Sequence, residues 1–244
     1  VIKLRLLGPF RQGEIDRTLL SVHPGPRFLY LHGFASGPAS KKGRAVSERL
    51  ALHGAGVERL DLRVPSLERL SLGAMMATVR GAMGGPRDRV VLLGSSLGGL
   101  TAARVAEAEP RACMLVLLAP AFRFAERWRE RLGASGWDDW MRSGWLEVMD
   151  HATGGTARVH AEFAREAAAL DATLGEAPDV RVPTLILHGR KDDVVPVELS
   201  RKFAHGRRHV RLVEVDDGHE LLAALPEVLA AIERFLAPAL GDGG

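Results

Sequence analysis

Cysteine is nearly absent from this 244-residue chain: Cys113 stands alone, so no internal disulfide and no cysteine-based metal cluster can form. It lies in the apolar run 112–118, where a thiol behaves as a small buried hydrophobe. Lysine is scarce too. Among 33 basic residues only Lys3, Lys41, Lys42, Lys191 and Lys202 are lysines. The basic residues are scattered among 30 acidic ones, the net charge is only +3, and no basic stripe with aromatic partners appears, so nucleic-acid binding is not expected. No apolar run approaches the roughly 18 residues of a membrane span. Residues 2–7 alternate apolar with basic instead of placing a basic segment before an apolar one, so no secretory signal is read and the expected location is the cytoplasm. The chain also lacks a Walker-type phosphate loop, a dinucleotide glycine fingerprint and an H-E-x-x-H zinc motif. No cofactor and no metal are expected. Internal repeats and low-complexity linkers are missing as well, which leaves one domain over residues 1–244.

What is present is an alternation. Short apolar runs at 28–31, 57–62, 90–93, 114–118, 184–187 and 210–215 are separated by amphipathic stretches at 40–52, 71–83, 97–109, 197–205 and 221–236. Strands alternating with helices predict a mostly parallel sheet flanked by helices. Several runs are apolar throughout, as strands covered on both faces should be. Residues 121–178 break the pattern. No clear strand is read there, the patterns are helical and charged, and all four tryptophans (Trp128, Trp137, Trp140, Trp145) fall inside it. An insertion between two strands would sit over their carboxyl ends as a small helical cap, at the edge where open α/β sheets bind ligands. Trp137, Trp140 and Trp145 are candidate substrate-binding residues; filling a helical core is the alternative role.

Three motifs stand at the ends of apolar strands. Val90–Leu93 runs into Gly94-Ser95-Ser96-Leu97-Gly98 and then into a helical pattern. G-x-S-x-G fits with Ser96 at its centre, in a strained turn that lifts the hydroxyl clear of the backbone. Glycine at 94 and 98 lets strand and helix approach closely. Ser95 lacks that flanking spacing. The second motif is His32-Gly33-Phe34, after the strand 28–31. A carbonyl under attack needs two preorganised N–H donors. One is the N–H of Leu97, after the nucleophile. The other comes from an early loop, here Phe34 with Ala35 as the alternative. His32 is read as structural. The third motif has two parts. The strand 184–187 leads into His188-Gly189-Arg190-Lys191-Asp192-Asp193, and the strand 210–215 leads into Asp216-Asp217-Gly218-His219. Asp192 is the candidate orienting acid, with Asp193 as its neighbour and alternative. His219 is the candidate base, His188 its competitor, and Asp217 shapes the turn. The order Ser…Asp…His is the one expected of an α/β-hydrolase.

On these residues the chain resembles the α/β-hydrolase fold from Phe28 to Leu236. Within it, Tyr30-Leu31-His32-Gly33-Phe34-Ala35-Ser36-Gly37-Pro38-Ala39-Ser40-Lys41 resembles the start of the YqiA-like bacterial esterases. The resemblance implies carboxylester hydrolysis with Ser96, Asp192 and His219 as the triad. It also implies little or no cap, from which the tryptophan-bearing insert departs. A looser similarity to mitochondrial depalmitoylating thioesterases keeps thioesters in view. The expected reaction is therefore acyl transfer through an acyl-enzyme, on a small-molecule acyl ester or thioester. The alternatives are C–C hydrolysis by the same triad, and a binding protein that kept the fold without turnover. The oligomeric state is not readable from the residues.

Overall fold

The structure, a computed structural model, describes residues 25–241. The alternating segment 2–7 lies outside them. Strand β1 (Arg27–Leu31) is followed by helix α1 (Lys41–Ala51), β2 (Val57–Leu60), α2 (Leu72–Ala82), β3 (Val90–Ser95), α3 (Leu97–Ala108) and β4 (Ala112–Leu118). After an insertion come β7 (Thr184–Gly189), α6 (Val197–Ala204), β8 (Val210–Val215) and α7 (Leu225–Leu240). Six strands form one sheet in the order β2-β1-β3-β4-β7-β8. Every neighbouring pair is parallel. This is the α/β architecture that the alternation predicts.

The two faces of the sheet are buried against different helices. Leu92 and Leu117 pack with Met75 and Val79 of α2 and Leu100 of α3. Val91, Leu93 and Val116 point the other way, to Val46 and Leu50 of α1 and Val228 and Ile232 of α7. All six residues of β3 are buried. Each fully buried leucine or valine contributes roughly 1.5–3 kcal/mol, so the central strands are the most rigid base on which to mount a side chain. The chain order turns around at β1, between β2 and β3, and the carboxyl ends of β1 and β3 therefore flank a topological switch point.

The insertion contains α4 (Phe124–Ser143), β5 (Trp145–Asp150), β6 (Gly155–His160) and α5 (Glu162–Leu174). It leaves the sheet at the end of β4 and returns at β7, which is the next strand over. Its content differs from the expectation of a wholly helical segment: β5 and β6 pair antiparallel as a hairpin. Helix α4 is also broken at Gly133, whose φ of 67° and ψ of 174° are not helical.

Candidate active site

The turn after β3 is tight because two glycines make it possible. A Cβ on Gly94 would lie 2.3 Å from the Gly98 carbonyl oxygen, and a Cβ on Gly98 would lie 2.2 Å from that of Leu31. Any side chain there would push helix α3 off the sheet. Between them Ser96 has φ 53° and ψ −115°, a conformation L-residues rarely adopt. Its N–H donates to the Leu118 carbonyl at 2.8 Å, and its own carbonyl accepts from Ala121 at 3.0 Å. Both bonds tie the strained residue to the end of β4. Ser96 is half-buried, with buried residues on either side.

His219 reaches Ser96 from the far edge of the sheet. Its Nε2 lies 3.0 Å from Ser96 Oγ. Its Nδ1 lies 2.7 Å from Asp192 Oδ2. The turn that carries it is built by Asp217, which accepts from the Gly218 N–H at 2.7 Å and from the Ala224 N–H at 2.9 Å. That carboxylate caps the approach to α7, and Leu221, with φ 54°, breaks the chain out of helix. Helix α7 consequently begins at Leu225 instead of 221. Gly189, at the end of β7, admits the turn: a Cβ there would sit 2.3 Å from the Asp217 carbonyl oxygen.

The Asp192 side chain is fully buried. Oδ1 accepts from the N–H groups of Val194 at 2.9 Å and Val195 at 2.8 Å. Burial alone would raise its pKa. Hydrogen bonding to His188 and His219, with the Val195 N–H, outweighs burial and holds the carboxyl well below the usual carboxylate range. Among the two carboxylates weighed, Asp192 meets the imidazole, whereas Asp193 is exposed.

On the opposite side, His32 is buried and fixed by both nitrogens. Leu62 donates its N–H to Nε2 at 3.0 Å, so Nδ1 carries the proton and bonds the Gly33 carbonyl at 2.9 Å. Burial lowers its pKa, which suits a neutral structural imidazole. Gly33 is close to the serine: a Cβ there would stand 3.3 Å from Ser96 Cβ. The Phe34 and Leu97 N–H groups have no hydrogen-bond partner among the described residues. Ala35 holds φ 50°, and its carbonyl accepts from the His151 N–H at 2.8 Å, in the turn between β5 and β6. The inserted segment thus grips the loop that carries Phe34.

The tryptophans divide. Trp140 is 1% exposed and its indole N–H donates to the Val159 carbonyl at 3.1 Å, so it is core and offers no surface to a ligand. Trp145 is flanked by Arg69 and Arg158, whose guanidinium carbons stand 4.9 and 4.7 Å from its ring centre. Trp137 is half-buried with its ring edge-on to Trp140 at 5.7 Å. The indole that meets the Phe34 ring, at 5.2 Å, is Trp128. Phe124 and Phe163 complete that aromatic cluster at 5.8 and 6.1 Å from Phe34. Sequence reasoning missed Trp128, although its i,i+4 spacing from Phe124 places the two on one helix face.

Among the described residues, no group of three or more His, Cys, Asp or Glu side chains could hold a metal ion. No helix there is long and apolar enough to cross a membrane.

Comparison with solved structures returns α/β-hydrolase folds over most of the chain. Est1E from Butyrivibrio proteoclasticus, solved with ferulic acid, is 22% identical with a TM-score of 0.72, covering 89% of this chain and 90% of that one. Mouse alpha/beta hydrolase domain-containing protein 10 is 21% identical with a TM-score of 0.71, covering 86% and 89%. A monoacylglycerol lipase from Paleococcus ferrophilus is 20% identical with a TM-score of 0.68, covering 87% and 95%. No curated protein gives a match. Residues 27–237 match the uncharacterised protein family UPF0227, which bears out the resemblance carried by Tyr30–Lys41, and the chain belongs to that family.

Proposed function

We propose that the protein is a serine hydrolase that cleaves carboxylic esters by two-step acyl transfer. One observation carries the reading: an unbroken hydrogen-bonded line from Ser96 Oγ through the His219 imidazole to the buried Asp192 carboxylate, at 3.0 and 2.7 Å. In the first step Ser96 Oγ bonds to the acyl carbon while His219 Nε2 takes its proton. The oxyanion receives the N–H groups of Leu97 and Phe34. The tetrahedral carbon then expels the alkoxide, which leaves as alcohol with the proton from His219. Water repeats the sequence on the acyl-enzyme and releases the acid. Asp192 stabilises the imidazolium and keeps Nδ1–H pointed at itself, leaving Nε2 free for the serine. Names among the structural relatives, a ferulic-acid complex of Est1E and a monoacylglycerol lipase, support an ester substrate.

The test is labelling by a fluorophosphonate together with turnover of a panel of p-nitrophenyl esters and acyl thioesters of graded length. Stoichiometric labelling at Ser96 and preferential turnover of esters are expected. Preference for thioesters would move the substrate class without moving the triad. Absence of both labelling and turnover would leave a binding protein.

A further inference from the structure

We propose that His188 is a positioning residue of this site: it shares the Asp192 carboxylate with His219 and fixes the orientation in which that carboxylate meets the imidazole. The inference rests on the triad reading above. His188 lies on β7 just before its last residue, four residues before Asp192, and is 0% exposed. Its Nε2 faces two groups that only accept, the Val195 carbonyl at 2.8 Å and Asp192 Oδ2 at 3.1 Å. Nε2 must therefore carry a proton. Its Nδ1 lies 2.7 Å from the hydroxyl of Ser200 on α6, itself 0% exposed. Oδ2 is the same oxygen that meets His219 Nδ1 at 2.7 Å.

The arrangement does two things. It steadies the loop 189–196, because one rigid ring is hydrogen-bonded to Val195 and meets Asp192 in the middle of the loop. It also holds the positive edge of a second imidazole ring 3.1 Å from the oxygen that orients His219, while its N–H points to the Val195 carbonyl. Partial positive charge beside that oxygen stabilises the carboxylate and so weakens its pull on a proton held by His219. The charged groups nearby are few. Glu214 is the register partner of His188 on β8, but its carboxylate is held by Arg201 at 2.8 and 2.6 Å. Lys42 on α1 faces the same region and bonds the His219 carbonyl at 3.4 Å. Asp217 turns its carboxylate to backbone N–H groups.

The experiment compares the parent, His188→Leu, His188→Gln and Ser200→Ala, with p-nitrophenyl acetate as probe and kcat/KM measured from pH 5 to 9. His188→Leu should reduce kcat/KM by up to about 100-fold through kcat, the size of effect that a small misplacement of a catalytic group produces. Its acidic limb should move to higher pH, because Asp192 without the positive edge of that ring beside it holds the imidazolium more tightly. His188→Gln keeps an N–H donor near the Nε2 position and should return the limb towards the parent. Ser200→Ala should move it the same way as the leucine variant but less, and it provides the reading if His188→Leu fails to fold. A variant that loses only thermal stability, with kcat/KM and limb as in the parent, overturns the inference and leaves His188 a core residue. Parent activity that survives Ser96→Ala would instead overturn the triad reading, and this inference with it.

Discussion

The sheet and the segment inserted into it are held by different forces. In the body, β3 and its neighbours are apolar on both faces, and close contact is made by glycines at 94, 98 and 189 that leave no room for a side chain. The insertion shares an aromatic core with the body but is aligned by polar pins. Glu166 of α5 accepts from the N–H groups of Leu72 and Gly73, both at 2.8 Å, and from the Ser71 hydroxyl at 3.0 Å, so a carboxylate from the insertion caps α2. Asp171 of the same helix pairs with buried Arg104 of α3 at 2.9 Å. The backbone of His151 bonds Ala35. Close apolar packing fixes the strands over their whole length, whereas polar pins of this kind set the insertion at a few points. The body therefore gives the candidate site residues a rigid base. The insertion supplies a wall that polar pins set in place, and it meets the loop that carries Phe34 at the His151–Ala35 bond and through the rings of Trp128, Phe124 and Phe163.

The largest effect tests the body. Ser96→Ala should leave the melting temperature near that of the parent and reduce kcat on the order of a million-fold, as loss of a triad nucleophile does. Activity within ten-fold of the parent in a folded variant would remove Ser96 from its role. Asp192→Asn comes next, with a loss of roughly 10⁴-fold, because an amide can present its N–H to His219 and select the wrong tautomer. The same substitution carries a stability signature. The folded-state pKa of Asp192 is depressed, so its contribution is present above the unfolded carboxyl pKa of about 3.9 and is lost as pH falls below it. Urea unfolding at pH 3 to 7 should show a steeper acid loss in the parent than in Asp192→Asn. Equal slopes would mean that the carboxylate gains nothing from its partners.

The body was the legible part, for a physical reason. Ser40 and Ser71 stand at the expected starts of 40–52 and 71–83, and both accept hydrogen bonds at the N-termini of α1 and α2. A serine before an amphipathic run is a local signal with a local cause. The candidate site residues could be picked out because Ser96 and Asp192 follow the fully buried strands β3 and β7, and His219 follows the less buried β8. The β5–β6 hairpin was not read. Leu146, Val148 and Asp150 alternate with Trp145, Glu147 and Met149, and Thr153-Gly154-Gly155 offers a turn, so a signal existed. It was masked because the hairpin buries little: Glu147 and Met149 are exposed, as are Gly155 and Thr156. The grip of His151 on Ala35 is made by a backbone N–H, and no side-chain pattern can announce such a bond. Nor could the pairing of His188 with Asp192 be read, since it depends on how the loop after β7 closes.

The pins offer a smaller test. Glu166→Gln weakens charge-assisted bonds to two N–H groups and a hydroxyl, and hydrogen bonds to a charged group contribute about 1.5–3 kcal/mol each at most. A loss of roughly 1–3 kcal/mol in urea unfolding is expected, with Ser96 still labelled by a small fluorophosphonate. If labelling fell in parallel with stability, the insertion would be part of the catalytic machinery, and the contrast between body and wall would dissolve.

The finest test asks which aromatic side chain reads the acyl group. Trp140 is enclosed, so Trp140→Ala should cost roughly 3–5 kcal/mol, as removal of a buried indole does, and leave the chain-length preference in place. Trp145 has Arg69 and Arg158 against its ring, and its alanine variant should leave both quantities nearly unchanged. Trp137 is half-buried and should give at most a small shift. Trp128 differs from the other three because its ring lies against Phe34, whose N–H is the proposed donor to the oxyanion and whose loop passes Ser96. Shortening Trp128 to leucine removes apolar contact area next to the reacting carbonyl while keeping a side chain in the cluster. A single methylene in an apolar site changes discrimination by roughly 1–3 kcal/mol, so the Trp128→Leu profile across p-nitrophenyl esters should move towards longer acyl chains. The ratio kcat/KM for octanoate over acetate should rise by about ten-fold or more. A parental profile in Trp128→Leu, with a shift in Trp145→Ala instead, would place the acyl group on the hairpin face and remove the Phe34 cluster from substrate recognition.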